Sequence, residues 1–276
     1  MHERRQNRQP EKRALPIVVT TEERLEGGHV AHVVIDNAAK LNTLHRALMV
    51  ELVEWIERLE ADKELRLVVL RGAGERAFVG GADITELAAL DRDSARDFIT
   101  LIHRCCDGFR QLPVPVIARI DGYCLGGGLE LAAACDMRIA STRAQFGMPE
   151  VRIGIPSVVE AALLPQLIGH GRARRLVLTG ETIGAEQALA WGLVDAVAPV
   201  AELDQTVAHF AAMILAGGKQ ALRIQKALIA DWQDLSTSAA IARGIDAFVE
   251  AYDTDEPRRM AEAQLAAMRA RRRSAR

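Results

Sequence analysis

The sequence predicts an α/β fold followed by an all-helical C-terminal region. Short β-branched runs alternate with longer amphipathic ones as far as about residue 200, the strand signal stops there, and only helical spacing follows. The runs with strand character are Ile17-Val18-Val19, His29 to Asp36, Leu67 to Leu70, Val114 to Ile120, Met137 to Ala140 and Leu193 to Val197. Between them Leu44, Leu48, Leu52, Trp55, Ile56 and Leu59 recur at helical spacing up to Ala61-Asp62, and Phe98, Ile102, Cys105 and Phe109 do likewise. Both stretches predict helices with a core-facing stripe. Beyond residue 200, helices are expected over Ala201 to Ala216, Ala221 to Trp232 and Ser236 to Ala270. The last should break near Pro257, since proline removes a donor and clashes inside a helix. Three regions follow: a disordered lead-in at 1–13, an α/β core at 14–200 that carries the site, and a helical region at 201–276 suited to oligomerisation.

The chain has 276 residues, 49% of them hydrophobic, which is enough to enclose a sizeable core. With 35 basic and 37 acidic residues the formal charge is -2, so no global field draws the chain to nucleic acid or to an anionic membrane. Met1 to Arg13 is charged, interrupted by Pro10, and contains no apolar run; Glu3 and Glu11 also argue against an acid-poor targeting peptide, so a cytoplasmic location is expected. Cys105, Cys106, Cys124 and Cys135 form no C-x-x-C pair, hence no disulfide framework and no zinc spacing. His103 lies beside two of them, but vicinal cysteines on a helix diverge, and buried thiols are the expectation rather than metal ligands. The basic run Met268 to Arg273 reads as a solvated terminus.

The chemistry concentrates in two glycine-bearing turns. Ala77-Phe78-Val79-Gly80-Gly81-Ala82-Asp83-Ile84 follows the strand Leu67 to Leu70; Asp121-Gly122-Tyr123-Cys124-Leu125-Gly126-Gly127-Gly128-Leu129-Glu130-Leu131 leads from a strand into an alanine-rich helix. A helix start leaves amides without intrahelical partners, and glycine lets a ligand approach them. Alone, such a run is as well explained by a tight turn, and it matches neither the P-loop nor the dinucleotide fingerprint.

Together with Phe146-Gly147-Met148-Pro149-Glu150, Lys40-Leu41-Asn42-Thr43-Leu44, Leu178-Thr179-Gly180-Glu181 and Ala188 to Ala196, these turns resemble, in order and spacing, the signature segments of the crotonase, or enoyl-CoA hydratase/isomerase, family. The resemblance covers roughly Val30 to Pro199. It implies a crotonase-like (ClpP/crotonase) spiral of ββα units with a helical C-terminal region. It also implies an acyl-CoA thioester as substrate, with coenzyme A part of that substrate and no other cofactor or metal, and a homotrimer, often stacked as a hexamer. The amides of Ala82 and Gly127 match the family's donors to the thioester oxygen, and Glu130 and Glu150 its hydratase pair. Asp83, Ile84 and Thr85 resemble its CoA-contacting stretch, with Lys40 and Leu41 near the pantetheine or nucleotide portion.

The residues themselves suggest a division of labour: a helix start favours an ionised Glu130 as base, whereas Met148, Pro149, Val151 and Ile153 desolvate Glu150 and fit it to be the acid. Asp83 is equally suited to cap a short helix through Leu87. Two departures from the family stand out. Where many members read G-A-G-G-T-Q, this chain reads Gly154-Ile155-Pro156-Ser157-Val158-Val159-Glu160-Ala161-Ala162, so Val158 and Val159 are expected to narrow the acyl pocket, and Glu160 is either a third acid or a helix-start residue. The C-terminus lacks the family's F-x-x-K-R-x-P-x-F-like ending. Hydration of a 2-enoyl-CoA is thus the leading expectation, with isomerisation or another acyl-CoA reaction of the family as the alternative. RNA binding is disfavoured by the near-neutral charge.

Overall fold

The computed structural model describes residues 16–23 and 27–274; the lead-in at 1–13 lies outside them. An antiparallel pair, β1 (Ile17–Glu23) and β2 (His29–Ile35), opens the chain and α1 (Arg46–Ala61) follows. Then comes a repeating stroke of two strands and helix: β3 (Leu65–Gly72), β4 (Ala77–Val79), α2 (Ile84–Ala88) and α3 (Arg92–Gln111); β5 (Val116–Ile120), β6 (Tyr123–Leu125) and α4 (Gly127–Ala133); β7 (Met137–Ser141), β8 (Gln145–Gly147), α5 (Leu164–Ile168) and α6 (His170–Thr179). β9 (Thr182–Gly184), α7 (Ala185–Trp191) and β10 (Ala196–Ala198) complete it. In each stroke the first strand joins a six-stranded sheet, ordered β1-β2-β3-β5-β7-β10, and the second a four-stranded sheet, ordered β4-β6-β8-β9. This is the spiral of ββα units expected above.

Strands β2 to β7 of the large sheet read as continuous apolar runs because both faces are covered. Ala31, Val33, Val68, Leu70, Val116 and Ala118 face the main core with α1, α3 and α4, while Val30, Leu67, Val69, Ile117 and Ile139 face Leu203, Val207, Ala211 and Ile214 of α8 (Leu203–Leu215). The first helix past residue 200 therefore packs directly on the sheet. Next, α9 (Lys219–Asp234) is fastened by the buried Lys226, whose Nζ donates to Phe109 O, Val114 O and Asp136 Oδ2 at 3.2, 2.8 and 2.7 Å. Finally, α10 (Thr237–Ala251) packs on α9 through Ala247, and α10 and α11 (Glu256–Ser274) leave Ile241, Ile245, Phe248 and Leu265 exposed. The helix break expected near Pro257 falls at residues 252–255, and Pro257 sits in the first turn of α11, where its missing N–H has no intrahelical acceptor to lose.

Candidate active site

Strands β4, β6 and β8 run parallel, so their carboxyl ends lie along one edge of the small sheet. The chain leaving β4 is Gly80-Gly81-Ala82, the chain leaving β6 is Gly126-Gly127, and the chain leaving β8 is Met148-Pro149-Glu150. The pairing register thus brings three sequence-distant segments together, and a cavity of about 640 Å³ opens beside them, lined by Ala82, Ile84, Gly127, Glu130 and Glu150 among others.

The segment 37–44 fixes the first turn. Gly80 N donates to Leu41 O at 2.8 Å, Leu44 N to Gly81 O at 2.8 Å, and Asp83 N to Leu44 O at 2.8 Å. Since Gly81 O and Asp83 N both face Leu44, the alternation of extended backbone turns the intervening Ala82 N–H to the other side. Asn42 anchors the segment: fully buried, it accepts from Asn37 N at 3.0 Å and donates to Ala73 O and Ala77 O at 2.9 and 2.8 Å. In the second turn Gly126 has φ 51°, and a Cβ there would stand 2.4 Å from Glu150 Oε1 and 4.0 Å from Gly81 Cα. Only glycine lets the two turns and the Glu150 carboxyl come this close. A Cβ on Gly127 would lie 3.8 Å from Glu130 Oε2, which puts the second carboxyl at the same turn. Among the described residues, the amides of Ala82 and Gly127 donate to no protein acceptor.

The electrostatics of the pair differ from the expectation for Glu130. Burial, and then the negative charges of Glu150 and Glu160, push Glu130 up to about 8, against a partial offset from the amides of Ala161 and Val158. The helix start does not hold it ionised, because α4 has only seven residues and the carboxyl is 4% exposed, so desolvation outweighs the dipole. Glu150 is also raised, by burial, while Ser157 Oγ, donating to its Oε2 at 2.8 Å, pulls the other way. Of the side chains expected to dry Glu150, Pro149 and Ile153 line the cavity and Met148 is buried, but Val151 points outward. Ionisation is thus disfavoured at both carboxyls lining the cavity, and the charge of Glu150 is among the causes that raise Glu130.

Residues 26–266 match the sequence profile of the enoyl-CoA hydratase/isomerase family. The chain belongs to that family. Among its relatives, a short-chain-enoyl-CoA hydratase of Clostridium acetobutylicum is 37% identical over 83% of this chain and 88% of its own length, and a crotonyl-CoA hydratase of Syntrophomonas wolfei is 34% identical over 87% and 91%. The crystal structure of an enoyl-CoA hydratase from Bacillus anthracis superposes with a TM-score of 0.85 at 32% identity, covering 90% of this chain and 96% of that one.

Within this member of the enoyl-CoA hydratase/isomerase family, the positions singled out from sequence separate into two groups. Ala82, Ile84, Gly127, Glu130 and Glu150 meet at the cavity; Lys40, Leu41 and Thr85 are outside its lining. Leu41 acts through its carbonyl on Gly80, and Lys40 Nζ reaches Asp83 Oδ2 at 3.1 Å. Asp83 caps α2, its Oδ1 accepting from Thr85 N at 2.8 Å and Glu86 N at 3.3 Å. Burial would raise that carboxyl, but Lys40 and the capping amides outweigh it and hold it below the usual range. Val158 lines the cavity, whereas Val159, at φ 40°, packs against the core.

Sequence reasoning missed the wall supplied by α3: Arg92, Arg96 and Ile99 recur at helical spacing beside the core-facing set, a signal present but unread. It also missed Ser157, whose role depends on a contact across a turn. His103 Nδ1 lies 2.7 Å from Glu160 Oε1, and the four cysteines are free and buried.

Proposed function

We propose that this chain hydrates a 2-enoyl-CoA to a 3-hydroxyacyl-CoA. The observation that carries the reading is the pair of carboxyls, Glu130 buried and Glu150 half-buried, lining one cavity beside two amides that have no protein acceptor among the described residues. In this reading the thioester carbonyl lies between Ala82 N and Gly127 N. As water adds to C3, charge moves onto that oxygen, and neutral preorganised donors stabilise it, each worth ~10²–10³ in rate. The ionised member of the pair takes a proton from water while its oxygen bonds to C3; the protonated member gives its proton to C2 as the carbonyl reforms. The division expected from sequence, with Glu130 ionised and Glu150 neutral, gives way to a shared proton, and reversal of the reaction exchanges the two roles. Coenzyme A enters as part of the substrate, and neither step requires a metal or redox group. Asp83, Ile84 and Thr85, with Lys40 and Leu41 behind them, extend from the first turn along the path on which the coenzyme A portion leaves the cavity.

The reading also includes cytoplasmic location and a trimer, stacked in pairs to a hexamer. No described helix is long and apolar enough to cross a membrane, and the exposed Ile241, Ile245, Phe248 and Leu265 of α10 and α11 offer apolar surface for a neighbouring copy. Light scattering should then return three or six times the 30.1 kDa chain mass.

The deciding assay follows loss of the conjugated enoyl thioester of crotonyl-CoA. Wild type should consume it and yield 3-hydroxybutyryl-CoA, and Glu130→Gln and Glu150→Gln should each lower kcat by ~10²–10⁴. A shifted double bond in the product, or near-normal hydration by either variant, would overturn the assignment.

A further inference from the structure

Outside the cavity lining lies a third buried acid that the reaction as written does not use. Glu160 stands in the 3-10 turn Val159–Leu163, packed against α3 and α4; its side chain is 7% exposed, and its Oε2 has no hydrogen-bond partner among the described residues. Its Oε1 is 2.7 Å from Nδ1 of His103, a ring that is half exposed. A carboxylate in this setting keeps a charge only because a donor holds it, and Nδ1–H is that donor. The flanking amides of Val158 and Ala161 bear on Glu130, so this segment reaches the reacting pair from behind.

We propose that Glu160, anchored on His103, is a positioning residue that keeps one proton on the Glu130/Glu150 pair. The inference rests on the hydratase reading. The surroundings of Glu160 favour this role: α3 presents His103, Asp107, Cys105 and Cys106, α4 presents Glu130, and α5 brings no titratable side chain. Burial raises Glu160 as well, but His103 draws it back, whereas Glu130 has no basic side chain among the groups that bear on it. With His103 holding its Oε1, Glu160 in its ionised form sets a negative charge in the turn that packs on α4, and that charge delays release of the proton from Glu130 as pH rises.

The test uses two readouts on the full-length protein. Infrared difference spectra of the substrate-free protein follow the band of the protonated carboxyl, and the pH dependence of kcat/KM for crotonyl-CoA follows the alkaline limb. In Glu160→Gln both midpoints should fall by about one pH unit. In His103→Asn, a change at a half-exposed position that spares the fold, the alkaline limb should move the same way by less, because Glu160 then takes up a proton and loses its field. An alkaline limb and a band unmoved in folded Glu160→Gln, or a limb unmoved in His103→Asn should Glu160→Gln fail to fold, reduce Glu160 to a structural role. Absence of turnover by wild type would strike the hydratase reading instead, and the infrared band would still report on the proton.

Discussion

The two sheets are laid down alternately by the same stretch of chain, yet they carry different burdens. Strands β2 to β7 of the large sheet are aliphatic and covered on both faces, and their interior is closed. The small sheet has strands of three residues, and the chain leaving three of them carries two desolvated carboxyls and two amides with no protein acceptor among the described residues. Stability is concentrated where the strands are long, and reactivity where they are short, because polar groups left unsatisfied can be tolerated only on a scaffold with free energy to spare.

Substitutions can break or sharpen this contrast. Glu130→Gln should have the largest effect and should act in opposite directions on activity and stability. Turnover should fall ~10²–10⁴-fold. Native Glu130, raised from 4.5 to about 8, retains a proton that the unfolded chain releases, so its contribution to stability declines as pH climbs through that window. The variant should escape that decline, at about 1.4 kcal/mol per pH unit at most. Denaturation curves from pH 4 to 9 would settle it, and parallel curves for variant and wild type would sink the idea.

Leu70→Ala, in the fully buried centre of the large sheet, should cost about 2–5 kcal/mol of stability while kcat per folded molecule stays unchanged. A loss of kcat would mean the two sheets are not separable. Gly126→Ala places a methyl where Glu150 Oε1 lies, at a backbone angle costly for alanine; turnover should drop by about 10²-fold with only ~1–2 kcal/mol lost in stability. Smallest is Lys40→Met: its pair with Asp83 is exposed on the lysine side, so stability should change by under ~1 kcal/mol, and a several-fold rise in KM would assign Lys40 to the coenzyme A portion.

The same contrast explains what the sequence disclosed. Strands of the large sheet were legible because burial on both faces writes an unbroken aliphatic run, as in Leu67 to Leu70. Strands β4, β6, β8 and β9 were not, since three residues carry no periodicity; their turns stood out only through resemblance to a family. Glu130 and Glu150 were recognisable as candidates by position, but the ionisation of Glu130 was misjudged, because a sequence shows that a helix begins at Gly127 without showing that it ends seven residues on in a dry interior. The break near Pro257 was legible, whereas the place of the proline in the first turn of the following helix was not, since that depends on which residue precedes it. Arg92, Arg96 and Ile99 were hidden by the stronger apolar stripe on the neighbouring face of α3, and the His103–Glu160 contact joins residues 57 positions apart with no local pattern to mark it.

Asn42 shows how narrowly the geometry is held. One carboxamide reads three main-chain groups, accepting from Asn37 and donating to Ala73 and Ala77. Hydrolytic deamidation, a form of protein ageing that exchanges its NH₂ for oxygen, would set a carboxylate against two carbonyl oxygens in a fully buried site. Loss of a single ammonia should therefore loosen the cradle around Ala82, so old or heat-stressed preparations are expected to lose turnover before they lose their fold.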